Sequence, residues 1–340
     1  MKIIGSKGQR NGLLYLLAVV LSVGVGWQGH AWYHTHSDTQ RCVRGIPQKG
    51  FRFTSPLLDV ELPEGMSIRN EPIPFKYKIK SYVEHLENNK RVKHVAVYYR
   101  DLSEGPWFGI DAEREFDAAS MMKVPVMIAW LKRAEKNPKV LQRVFFYDGK
   151  LDMSAWQSIK PSQTLSTVVG YQVEELLHFM INYSDNNATK ILYDDLSADE
   201  ISDVLDNMDV TTNPYDYTNL VSLHGYSGFF RILYNAAYLN REMSEKALQL
   251  LALQDFPQGI AAGVPQGVPV AAKFGEHVSG NNGVEKQLHE FGIIYHPRGP
   301  YILGIMTEGD NFDRQAEVIR TISAMVYAEV GKGIVRDAKR

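Results

Sequence analysis

Apolar residues recur at helical spacing over 77–89, where Ile79, Tyr82, Val83 and Leu86 share one face. The period then drops to two between Val92 and Arg100, which predicts a strand. Gly105 followed by Trp107-Phe108-Gly109-Ile110 predicts a hairpin into a second strand. From Ser120 to about Leu253 the pattern is mostly helical, with segments predicted at 120–136, 173–182, 187–196, 198–205, 222–239 and 244–253. Strand signals return at 268–274, 288–295 and 301–307, before a closing helix over about 312–330. A block of helices between early and late antiparallel strands predicts an α+β fold: a sheet built from both chain ends, a helical lobe, and a cleft between the two.

The first residues carry a different pattern. Lys2, Lys7 and Arg10 precede an uncharged run from Leu13 to Gly26, and the first acidic residue is Asp38. That is a membrane-targeting element. The run is short for ~30 Å of hydrocarbon, although Trp27, Trp32 and Tyr33 would extend it as interfacial anchors. A spanning anchor and a cleaved signal peptide are both open. Gly29-His30-Ala31 is a poor small-x-small cleavage site, crowded by aromatic and histidine neighbours, which favours the anchor. Basic residues on the near side hold that end in the cytoplasm and place the rest of the chain outside the membrane. The expected organisation is an anchor or signal over 1–37, a Pro- and Gly-rich stalk or lead-in over 38–75, and a folded domain over 76–335.

Composition narrows the chemistry. The 340 residues are 44% hydrophobic and 22% charged, which suits a globular domain with its own core. Lys plus Arg (37) nearly balance Asp plus Glu (39), so there is no basic footprint for nucleic acid. The single cysteine, Cys42, excludes a disulfide within the chain and a cysteine-based zinc or iron–sulfur site. It lies well past the apolar run, unlike the acylated cysteine of a lipoprotein. His30, His34 and His36 fit no standard metal spacing, so no metal or organic cofactor is expected.

Three short motifs carry candidate chemistry: Ser120-Met121-Met122-Lys123, Ser184-Asp185-Asn186 and Lys273-Phe274-Gly275. Each is weak alone. Ser120, however, sits at the start of an apolar helix, and Lys123 follows one turn later on the same side. A serine hydroxyl is a poor nucleophile until a base takes its proton, and a lysine can do so only when burial or nearby positive charge lowers its pKa. Lys123 is placed for that task, Lys273 would supply the second cation, and the two amines are expected to share one pocket with Ser120 at bonding distance. Ser184 would relay a proton to the leaving group, and Asn186 offers donors and an acceptor to a peptide-like substrate. The Ser120 N–H and the Glu276 N–H, just beyond Gly275, would face an oxyanion.

The segment 119–123, the helix 174–182 running into Tyr183-Ser184-Asp185-Asn186, and Lys273-Phe274-Gly275 resemble class A β-lactamases and related penicillin-recognising serine hydrolases. The likeness covers about 93–330. It implies a β-lactamase/transpeptidase-like fold. It also implies Ser120 as acylated nucleophile, Lys123 as its activator, Ser184 and Lys273 as a proton-relay and electrostatic pair, and Asn186 as a substrate contact; Gly275 and Glu276 are expected beside it at the substrate. The implied partner is a β-lactam or peptidoglycan peptide; a monomer is expected, and the N-terminal segment, outside the likeness, is expected to tether it to the membrane. The middle residue of the second motif, Asp185, is expected to brace its loop, and Met121 and Met122 to pack.

Two departures bear on activity. The family's loop glutamate, which activates the deacylating water, has no counterpart over 207–221, where Asp209 and Asp216 are the only carboxylates and read better as turn residues. Slow deacylation is the expected consequence. Phe274 replaces the usual Thr or Ser and removes the hydroxyl that would meet a substrate carboxylate, while Glu276 adds negative charge beside it. A neutral or amidated peptide, or an ester, is therefore an expected substrate. A catalytically weak or inactive penicillin-binding or wall-binding module, and an esterase-like hydrolase on the same fold, are the alternatives.

Overall fold

The central strands are apolar at nearly every position because the sheet is covered on both faces. The computed structural model describes residues 51–55, 73–103, 105–206, 219–279 and 284–332. Residues 1–37, Cys42 and the histidines 30, 34 and 36 lie outside the described residues, as do Asp209, Asp216 and most of the 38–75 lead-in.

Helix α1 (Lys76–Asn88) leads into β1 (His94–Asp101) and β2 (Trp107–Ile110). The late strands β7 (Val270–Ser279), β8 (Glu285–Ile294) and β9 (Tyr301–Gly309) complete an antiparallel sheet of order β2-β1-β9-β8-β7. Side chains alternate between two cores. Val95, Val97, Tyr99, Leu303 and Ile305 pack under α1 and the closing helix α8 (Phe312–Lys332), whereas Ala96, Tyr98, Phe291, Ile302 and Met306 face the helical lobe.

That lobe is centred on α2 (Lys123–Lys136), whose residues Lys123 to Leu131 are all buried. Around it stand α3 (Val173–Asn182), α4 (Asn186–Asp194), α5 (Ala198–Asp206), α6 (Leu223–Tyr234) and α7 (Arg241–Leu251). Pro125 is tolerated because it falls in the first turn of α2, where a missing N–H leaves no partner unsatisfied. Caps set several helix starts: Gln172 and Glu175 form a capping box at α3, Asp185 caps α4, and Asn240 caps α7.

Some boundaries differ from the sequence pattern. The segment predicted as one helix from Ser120 begins with a 3₁₀ turn, Ala119–Met122, before α2. The expected helix over 222–239 stops at Tyr234, beyond which Ala236 adopts a left-handed φ of 45°. Strand β7 runs five residues further than predicted. Two ribbons were not legible, β3 (Glu115–Asp117) with β6 (Leu220–Ser222) and β4 (Val144–Phe146) with β5 (Gly170–Gln172), because three-residue strands carry no measurable alternation.

Candidate active site

Ser120 sits in the 3₁₀ turn between β3 and α2. The turn is held at both ends. Ala119 adopts φ 46°, a left-handed conformation that a side chain disfavours, and Ala119 N–H donates to Asp117 Oδ1 at 2.8 Å. One residue on, Met121 is fully buried and its carbonyl accepts from the Tyr226 hydroxyl at 2.7 Å. Ser120, half-buried, is thereby presented to a cleft of about 250 Å³ that Asn186, Gln157, Trp156, Glu276 and His277 also line. Strand β7 passes this turn so closely that a Cβ on Gly275 would lie 2.7 Å from the Ala118 carbonyl oxygen. Only glycine permits that approach.

Ser184 is the meeting point of the two lysines. It is fully buried and takes φ 59° between α3 and α4. Lys123 Nζ donates to Ser184 Oγ at 3.0 Å, to the Ser184 carbonyl at 2.6 Å and to Asn186 Oδ1 at 2.7 Å. Lys273 Nζ, arriving from β7, donates to the same Ser184 Oγ at 3.0 Å and to the Phe274 carbonyl at 3.0 Å. Ser120 is not among the hydrogen-bond partners of either amine. Asp185 is buried and accepts from the Asn187, Ala188 and Leu165 N–H groups and from Ser154 Oγ, so both its oxygens brace the loop.

Burial sets the charges. Lys123 falls to about 7 because its ammonium is desolvated, an effect that the negative charges of Asp185 and Glu276 oppose. Lys273 is pushed well below the ordinary lysine range, first by burial and then by the charge of Lys123. On its other side lies Glu290, fully buried, with its carboxyl pushed up to about 7 by desolvation. Glu290 accepts from the Ile260 N–H at 2.6 Å and from Gln254 Nε2 at 2.8 Å, and Gln254 in turn accepts from the Phe274 N–H at 2.7 Å. This chain of hydrogen bonds holds β7 from behind. Two amines forced together in a dry pocket cannot both keep a proton near neutral pH, so one of them is available as a base.

The cleft holds residues that the motifs did not announce. Gln157 donates through Nε2 to the Ser184 carbonyl at 3.0 Å, while its Oε1 is buried and has no hydrogen-bond partner. Glu276 reaches across to the 153–159 segment and accepts from the Ser158 N–H at 2.8 Å. His277 Nδ1 lies 3.6 Å from Asp117 Oδ2. Phe274 points away from the cleft into the core beneath the sheet and stacks on Phe256 at 4.4 Å between centroids. Glu276 was expected at the substrate and His277 follows it directly, within reach of the sequence, but Gln157 and Trp156 stand in a stretch without periodicity. Among the described residues no group of His, Cys, Asp or Glu is placed to hold a metal ion, and no helix is long and apolar enough to cross a membrane.

The sheet and the helical lobe, with Lys123, Lys273 and Ser184 meeting at their junction beside Ser120's cleft, define the β-lactamase/transpeptidase-like class. The chain matches the model of the beta-lactamase enzyme family over residues 75–330, and it belongs to that family. Solved structures agree in fold. A beta-lactamase from Sphaerobacter thermophilus is 21% identical, with a TM-score of 0.65 over 77% of this chain and 98% of that one. PBP-A is 22% identical with a TM-score of 0.62, covering 76% and 97%. A class A beta-lactamase from Mycobacterium abscessus is 21% identical, also at 0.62, covering 74% and 99%. No curated protein matches the chain.

Proposed function

We propose that the chain is a serine hydrolase that works outside the cytoplasmic membrane and passes through an acyl-enzyme on Ser120. The supporting observation is the convergence of two buried amines, Lys123 and Lys273, on Ser184 Oγ beside the cleft that Ser120 lines. In this scheme Lys123, neutral above about pH 7, turns from Ser184 to take the Ser120 proton as Oγ attacks the carbonyl carbon. The Ser120 and Glu276 N–H groups receive the oxyanion. Lys123 then returns that proton through Ser184, on whose Oγ Lys273 also converges, to the leaving nitrogen as the acyl bond breaks, and Asn186 and Gly275 position the substrate. Water then releases the acyl group slowly, because the loop over 207–221 supplies no glutamate.

Residues 1–37 serve as membrane anchor or signal, 38–75 as stalk, and 76–335 as the catalytic domain, acting as a monomer on β-lactams or cell-wall peptides. The test is incubation with benzylpenicillin followed by intact-mass measurement. A long-lived adduct that is lost in Ser120→Ala supports an acyl-enzyme with slow release. A folded protein giving neither adduct nor drug loss would instead favour a wall-binding module, the reading that the inward-turned Phe274 supports.

A further inference from the structure

The end of the cleft formed by β7 has the wrong charge for a carboxylate. Glu276 lines it together with Ser120, and among the described lining residues there is no lysine or arginine. Its Oε1 accepts from the Ser158 N–H at 2.8 Å and lies 3.5 Å from the Ile159 nitrogen, which draws the carboxylate across the cleft. The remaining lone pairs of the carboxylate can accept from a bound ligand. The two lysines below are already engaged with Ser184, Asn186 and Phe274, and the neighbouring His277 Nδ1 lies 3.6 Å from Asp117 Oδ2. Position 274 supplies no hydroxyl, because the phenylalanine ring is stacked on Phe256 in the core. An anionic group placed there would stand beside that negative charge with no lysine or arginine of the described lining facing it.

We propose that the cleft takes acyl donors whose group beside Glu276 is a carboxamide or another N–H donor, and that it discriminates against a carboxylate at that position. This rests on the acyl-enzyme reading and assigns its substrate class. Glu276 acts as a specificity-determining residue that accepts the donor's N–H.

The test compares benzylpenicillin with its carboxamide, two acyl donors that differ only at the group in question. The second-order acylation rate constant is read by intact mass. The carboxamide should acylate the wild-type protein about tenfold faster, the effect of one unfavourable charge pair partly exposed to water. Glu276→Gln keeps an acceptor for the Ser158 N–H and removes only the charge, so it should bring the ratio of the two rate constants to near unity. Glu276→Ala serves as the second variant if the first misfolds. Equal rates in the wild type, a preference for the carboxylate, or a ratio unmoved by both variants would overturn the proposal. If neither compound acylates the protein, the acyl-enzyme reading fails by itself. Equilibrium binding of an N-acyl dipeptide carboxamide and its free acid to the same protein then decides the matter. Tighter binding of the carboxamide, lost in Glu276→Gln, upholds the selectivity, and equal binding refutes it.

Discussion

The pH dependence of acylation follows from the burial of Lys123. The amine falls to about 7, so its ammonium form dominates below that pH and the free base above it. If the free base accepts the Ser120 proton, acylation should scale with its population, about one part in ten at pH 6 and nine in ten at pH 8. The acylation rate constant should therefore rise about tenfold between those values and level off above them. Glu276 supplies a negative charge that holds the ammonium in place, and removing it with Glu276→Gln should slide the rising limb towards lower pH. Lys123→Arg keeps the charge but has no accessible free base, so the limb should vanish and acylation fall by about 10²- to 10⁴-fold. Stopped acylation reactions quantified by intact mass across pH 5.5–9 give the profile. A flat profile in the wild type, or an unaltered limb in Lys123→Arg, would show that another group takes the proton.

Two further outcomes follow from the packing of β7. Gly275→Ala places a methyl group 2.7 Å from the Ala118 carbonyl oxygen and 3.1 Å from Met121 Cγ, forcing β7 away from the serine turn. Thermal unfolding should report a loss of about 1–3 kcal/mol, and acylation should drop about a hundredfold through misplacement alone. Phe274→Thr restores the family's usual residue but empties a buried ring site against Phe256, so it should destabilise by about 3 kcal/mol in denaturant titrations. Because the side chain at 274 faces the core, this change should not accelerate acylation by benzylpenicillin.

Much of the site was legible in the chain because acyl transfer needs specific residue types in a fixed order. Ser120, Lys123, Ser184, Asn186 and Lys273 stand out as motifs, and the long strands and helices stand out by period. The direction of a side chain is harder to read. Phe274 and Glu276 are two residues apart on β7, yet one packs into the core and the other lines the cleft, and only the packing around the strand in three dimensions settles their orientations. The left-handed turns at Ala119 and Ser184 are not written in residue type either, since neither is glycine or asparagine; a local hydrogen bond to Asp117 holds the first, and long-range hydrogen bonds from Gln157 and Lys123 hold the second. Gln157 and the Glu290–Gln254 link carry no local signal at all. They matter through partners 27 to 36 residues away in sequence.

Peptide mapping of the protein after exposure to benzylpenicillin and its carboxamide locates the nucleophile. A single acyl group is expected on the hydroxyl of Ser120, formed by both compounds and absent from Ser120→Ala. An acyl group on any other side chain, or a folded protein that neither carries an adduct nor consumes either compound, would contradict it.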